Sequence, residues 1–199
     1  MEVLDTPLPG VLVFRPTPHH DDRGFFTRTF DSRIAAAHGI SPGSFVQDSQ
    51  SRSRRGTVRG MHTRSGRGEA KLVRCARGAV FDVVVDVRVG SPTFGRRHEI
   101  VLDDRDFCHL FVPPGFLHGF QSLTEQSDVC YRIDREHDPA ENLSVRYDDP
   151  ELGIPWPEPV EVLSAADAAA GPWSELVRAV QVNGVRFAPK ATEATPAGV

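Results

Sequence analysis

The chain has 199 residues, enough for one domain with a sizeable core, and its 39% hydrophobic and 25% charged residues are ordinary for a globular protein. A formal net charge of −4 and a pI near 6.1 exclude a general nucleic-acid-binding role, while leaving room for a local basic patch. No apolar run approaches the roughly 20 residues of a membrane helix, and MEVLDTPLPG has neither the charged start nor the apolar block of a secretory leader. Cys75, Cys108 and Cys130 are widely spaced and odd in number. They read as free thiols in a reducing cytoplasm, with no CxxC on which to build a structural zinc site.

From the N-terminus, the first marked turn is DDRGFF, where Arg23 follows two acids and precedes Gly24. Taken alone it is an ordinary loop residue. Asp31–His38 reads as a short helix stopped by Gly39. Gln47 and Arg59 are residue types suited to a base edge and a phosphate, the guanidinium because its fork matches phosphate oxygens. Around Arg59 the stretch TVRGMHTRSGRGEAKLV sets Arg59, His62 and Lys71 among glycines, just ahead of strand-forming residues. A base that titrates near neutral pH thus lies between two cations. Such a set can remove a proton beside a carbonyl and hold the enolate, although a basic, solvated loop reads equally well. The glycines form no Walker A loop, and no G-x-G-x-x-G opens a helix, which argues against a nucleotide-cofactor oxidoreductase.

The middle of the chain reads as strands at Lys71–Arg74, Val80–Val89, Glu99–Leu102 and His109–Val112, bounded by Gly, Pro or Asp. In FDVVVDVRV, Asp82, Val84, Asp86 and Arg88 alternate with Phe81, Val83, Val85 and Val87, which fits a strand with one apolar face and one polar face that lines a pocket or meets solvent. Short strands with closely spaced turn signals predict a sandwich or barrel of jelly-roll type. In PPGFLHGF a turn presents His118 on an apolar strand, either as a hydrogen-bonded core histidine or as part of a site. Metal-binding jelly rolls use His-x-His with a downstream carboxylate. This chain has no His-x-His, so no metal is expected. Tyr131 in VCYRI is a core aromatic or a pocket proton donor. A second helical region begins at Ser164, an N-cap, with Asp167 in its first turn, and resumes beyond Pro172 as SELVRAV. Residues 189–199 (PKATEATPAGV) read as a disordered tail after a single domain spanning 1–188.

In order, DDRGFF, VQDSQSRSRRGTVRGMH, KLVRCARGAVFDVVVDVRVGSPTFG, VPPGFLHGF, VCYRI and DDPELGIPWP closely resemble the deoxythymidine-diphosphate 4-keto-6-deoxysugar epimerases, the RmlC-like group of cupins. The likeness runs from about Pro7 to Asp167. It implies a mainly β cupin jelly roll with a few flanking helices, a homodimer, a dTDP-sugar substrate, and neither metal nor organic cofactor. By the same resemblance His62 is the base, Asp167 polarises it, and Tyr131 is the acid on the opposite face of the sugar. Lys71 and His118 match positions near the reacting sugar, and Asp82 a buried polar position of the pocket. Arg23, Gln47 and Arg59 match positions that hold the nucleotide and its diphosphate.

The chain departs from the family's wording at several points. HTR (His62-Thr63-Arg64) replaces the usual HYQ or HFQ, and Arg28 replaces a glutamate. Glu136 and His137 stand for an aromatic pair, and Asn142 for an acid, at positions lining the sugar side in the family. The resemblance leads to the expectation of a cytoplasmic epimerase of dTDP-4-keto-6-deoxyglucose that supplies a secondary-metabolite sugar, and these departures favour inversion at C3. The alternatives are a 3,5-double epimerase, a C5 monoepimerase, and a cupin that binds the nucleotide sugar without turnover.

Overall fold

The computed structural model describes residues 1–182 and contains two antiparallel sheets. The first has six strands in the order β1 (Glu2–Asp5), β2 (Leu12–Arg15), β10 (His109–Val112), β7 (Lys71–Arg77), β12 (Ser127–Ile133) and β5 (Gln47–Ser53). The second runs β13 (Asn142–Ser144), β6 (Val58–Arg64), β11 (Phe116–Ser122), β8 (Ala79–Asp86) and β9 (Arg97–Asp103). From β5 to β13 the chain changes sheet at every connection except β8 to β9. That is the jelly-roll connectivity the short, turn-bounded strands predicted. A separate hairpin pairs β3 (His19–Asp21) with β4 (Gly24–Phe26) and is exposed along its whole length.

Alternation along the strands builds two cores. Val73, Val80, Val84, Leu110, Phe120 and Val129 pack between the sheets. On the outer face of the five-stranded sheet, Val83, Val85 and Leu117 pack against Trp173, Leu176 and Val180 of helix α3 (Trp173–Val182). Both faces of β8 are therefore covered. The polar alternation read in FDVVVDVRV does not meet solvent: Asp82 and Asp86 are both 0% exposed. Asp82 points toward His118, whereas Asp86 ends the strand by accepting from Arg88, Ser91 and Thr93. This cap also stops β8 before Val89, where the apolar pattern alone would have carried it on.

The short helix α1 (Ser32–Ala37) is capped by Asp31, whose carboxylate accepts from the Arg33 and Ile34 amides. The late helical region is split as Pro172 predicted, into α2 (Ala165–Ala168) and α3. The expected tail at 189–199, like the end of the expected domain at 188, lies outside the described residues.

One close approach sets the geometry of the site. Gly60 on β6 has φ +135°, and a Cβ there would meet Gly119 Cα of β11 at 2.6 Å. A Cβ on Gly119 would in turn meet Met61 Sδ at 2.6 Å. The β6–β11 register shifts between His118 and Phe120, directly opposite. As a result Arg59 and His62, out of phase for a regular strand, both line one cavity, and Met61 turns into the outer core. Gly60→Ala is expected to destabilise the protein by about 2–4 kcal/mol through backbone strain and overpacking, read as a lower urea midpoint with unchanged slope.

Candidate active site

A cavity of about 460 Å³ opens between the sheets. β6 supplies Arg59, His62 and Arg64; β7 supplies Lys71; β11 supplies His118 and Phe120; β12 supplies Tyr131; β5 supplies Ser49 and Ser51. Asp167 and Ser164 reach the same cavity from α2 and its cap.

Asp167 is brought to His62 by a strap. The segment before α2 is laced to the β5–β6 turn through Glu161 N to Gly56 O (3.0 Å), Val58 N to Val162 O (3.1 Å) and a parallel bridge between Thr57 and Val162. Gln121 adds a two-way amide contact, donating to Glu158 O at 2.8 Å and accepting from Glu158 N at 3.0 Å. Thus anchored, Asp167 accepts from His62 Nε2 at 2.5 Å and from Ser164 Oγ at 2.8 Å. Burial pushes the Asp167 carboxyl up, but the hydrogen bond and charge of His62, the Ser164 hydroxyl and the Arg59 charge outweigh it and hold the group below its ordinary value. An ionised carboxylate can only accept, so the His62 proton sits on Nε2 and the lone pair on Nδ1. Its side chain is 46% exposed, which lets an incoming ligand reach it.

The second imidazole is held the same way but in the dry interior. His118 Nε2 lies 2.9 Å from both Asp82 oxygens. In register, His118 stands opposite His62 across β6 and β11, so one close strand pair carries both rings. The Tyr131 hydroxyl is 3.2 Å from Ser51 Oγ. Burial pushes the phenol well above its ordinary value, with Ser51 pulling the other way and Asp82 adding to the rise, so the hydroxyl remains a proton donor. Lys71 Nζ contacts Glu69 Oε1 at 2.7 Å, and Arg64 Nε contacts Glu69 Oε2 at 2.5 Å. Arg59 lies against Ser53 Oγ and the Arg52 carbonyl, with no carboxylate partner among the described residues. Its charge is available to an anion.

Six sequence-derived residues thus meet at one cavity: Arg59, His62, Lys71, His118, Tyr131 and Asp167. Asp82 stands behind them as the partner of His118. The other four lie apart from this lining. Arg23 is on the exposed β3–β4 hairpin, paired with Asp21 at 2.6 Å, and Arg28 pairs with Asp31 at 2.8 Å. Gln47 begins β5 opposite Ile133, and Asn142 is exposed on β13 opposite Arg64. Sequence reasoning missed Ser51 and Glu69. Ser51 carries no signal, because its role depends on a strand pairing 80 residues away in sequence. Glu69 does carry one: an acid two residues before Lys71 at a strand start shares its side of the strand.

Residues 5–175 match the family model described as dTDP-4-dehydrorhamnose 3,5-epimerase. The chain is 38% identical over 172 residues to a Salmonella typhimurium protein of that name, covering 85% of this chain and 94% of the relative. The Mycobacterium tuberculosis RmlC epimerase structure superimposes with a TM-score of 0.86 at 36% identity, covering 94% of this chain and 93% of that one. ChmJ, a 3'-monoepimerase from Streptomyces bikiniensis in complex with dTDP-quinovose, gives a TM-score of 0.81 at 33% identity, with 91% of each chain covered. With the family model matched over residues 5–175 and the fold shared with the Mycobacterium tuberculosis enzyme, this chain belongs to the dTDP-4-dehydrorhamnose 3,5-epimerase family of sugar-nucleotide epimerases.

Proposed function

We propose that the protein is a cofactor-independent epimerase of dTDP-4-keto-6-deoxyglucose that inverts both carbons beside the ketone, C3 and C5. The observation that carries this reading is the joint presence of the His62–Asp167 pair and the Tyr131 hydroxyl in one cavity. Inversion needs a proton taken from one face and another delivered to the opposite face, and binding alone needs no such pair. His62 Nδ1 takes the carbon-bound proton, and the C–H electrons move into the ring as an enolate. The Lys71 ammonium faces the charge that develops on the ketone oxygen. Tyr131 then delivers its proton to the carbon from the other side, and solvent exchange resets both groups before the second inversion. Arg59 is assigned to the diphosphate, whose binding energy positions the ring far from the reacting carbon. His118, fixed by Asp82, is assigned to the sugar.

The expectation of inversion at C3 alone gives way to double inversion, because the family model and the curated relatives carry the 3,5-epimerase name. A C3-only reading keeps two supports: the similarity to ChmJ, a 3'-monoepimerase, and the bond between Arg64 and His137, where the chain departs from the family's wording. A homodimer belongs to the same proposal. The β3–β4 hairpin exposes Phe25 (55%) and Phe26 (72%) and carries Arg23 outside its own cavity, a surface suited to cover by a second copy. The free thiols of Cys75, Cys108 and Cys130 support a cytoplasmic location.

Turnover of dTDP-4-keto-6-deoxyglucose in heavy water, followed by NMR, tests the assignment. Deuterium at both C3 and C5 is the expected result. Label at C3 only would return the reading to monoepimerisation, and no label at either carbon would overturn the epimerase assignment.

A further inference from the structure

Arg64 and His137, separate oddities in the sequence, are parts of one arrangement behind Lys71. Arg64 is 7% exposed at the end of β6. Its guanidinium contacts Glu69 Oε2 at 2.5 Å through Nε, donates to His137 Nδ1 at 2.6 Å, and donates to the Asp138 carbonyl at 3.1 Å. The other Glu69 oxygen holds Lys71 Nζ at 2.7 Å. One buried carboxylate is therefore shared between two cations at the same cavity wall, and Arg64 is also pinned against the loop after β12.

We propose that Arg64 is a positioning residue for the epimerisation, keeping the Lys71 ammonium from being neutralised by Glu69. The inference rests on the reading of Lys71 as the group that faces the enolate.

A lone Lys71–Glu69 pair would be electrically neutral and would present only a dipole to a developing negative charge. With Arg64 added, the trio carries one net positive charge. That difference acts on the transition state, where the oxygen carries negative charge, more than on the uncharged ketone. Glu69 is ionised, because Lys71 and then Arg64 offset the burial that would push its carboxyl up, leaving it below its ordinary value. The contacts to His137 and the Asp138 carbonyl fix the guanidinium fork, so Arg64 cannot swing away from Glu69 when the cavity fills. A buried ion pair placed only for stability has little to recommend it over well-packed apolar groups. Its placement next to Lys71 gives it a use in the reaction.

The test compares deuterium exchange into dTDP-4-keto-6-deoxyglucose by wild type, Arg64→Gln, Arg64→Lys and the double variant Arg64→Gln/Glu69→Gln, with thermal melts to identify folded variants. Arg64→Gln should lower kcat about 10- to 100-fold with KM within about threefold, the scale for a group acting through another. The double variant removes the neutralising acid as well and should recover most of the lost kcat, which a packing role would not produce. Arg64→Lys, which keeps a cation, should lose less than Arg64→Gln. Where Arg64→Gln does not fold, the other two carry the test, and a loss beyond about tenfold in either folded variant overturns the proposal.

Wild-type kcat in Arg64→Gln, or a double variant no faster than the single, also overturns it. A ¹³C titration of the Glu69 carboxyl is independent of turnover, and its pKa should rise in Arg64→Gln. An unmoved titration shows that the shared carboxylate does not exist in solution. Failure of the wild type to exchange any carbon-bound proton refutes the proposed function and the Lys71 role together, and is thereby distinguished from failure of the Arg64 inference alone.

Discussion

His62→Ala is expected to abolish measurable deuterium exchange, lowering kcat about 10²–10⁴-fold, the usual contribution of a positioned general base. The fold should persist, because the ring is 46% exposed at a cavity wall and buries little area. Asp167→Asn is expected to approach the same loss for a subtler reason. An amide can donate to Nε2, and that favours the tautomer with its proton on Nδ1, where the lone pair is needed. The Ser164 cap and the strap through Val162 would still hold the side chain in place, so geometry alone could not account for the defect. Near-normal exchange in His62→Ala, measured by NMR in heavy water, would show that the base has been misassigned. Near-normal exchange in Asp167→Asn with a dead His62→Ala would leave the base standing and remove its partner.

Tyr131→Phe should separate two events that run together in the wild type. Proton removal by His62 can continue, so exchange persists with retention, while inversion falls about 10²–10³-fold for want of a donor on the other face. Comparing label uptake with the appearance of inverted product, by NMR on the same sample, measures the split. Equal loss of both would place Tyr131 outside the proton path. The pH dependence follows from the direction of its shift. Burial raises the phenol's folded value above its ordinary value of 10.0, so no limb from Tyr131 ionisation is expected in the rate profile below about pH 10. A group with a raised folded value contributes stability that is present below the unfolded value and is lost as pH climbs through the folded one. Wild-type stability should therefore fall above about pH 10, and Tyr131→Phe should flatten that fall in urea titrations.

Local grammar carried much of the architecture. Asp31 and Gly39 bounded α1, Pro172 divided the late helix, and the strands at Lys71, His109 and around Val80 were legible because apolar β-formers stood between turn residues. Among the strands that escaped, some are apolar and short, such as β2 (LVFR), and others are polar. β5, QDSQSRS, has no apolar alternation at all and is held as a strand by pairing with β12 from Gln47–Ile133 to Ser53–Ser127. Propensity gives no warning of such a strand, since the partner supplies its hydrogen bonds. β8 is legible as a strand but its polar face reads equally as pocket-lining or solvent-facing, because a carboxylate in an alternating pattern looks the same whether water or a buried imidazole meets it.

The candidate site divides along the same line. The sequence by itself determined which groups were present: a titratable histidine between two cations, a tyrosine in a strand, and an aspartate in a first helical turn. The motif order tied them to a family. The resemblance paired Asp167 with His62, and the tertiary structure set the two 2.5 Å apart across 105 residues; only the structure decided that Asp82 serves His118 rather than solvent. It alone joined Arg64, Glu69 and Lys71 into one charge arrangement, and set Arg23, Arg28, Gln47 and Asn142 apart from the cavity lining. The physical reason is range. Turn residues, caps and alternation act over a few bonds and leave a local trace, whereas hydrogen-bond partners across a jelly roll are chosen by strand crossings and by the close approach at Gly60 and Gly119.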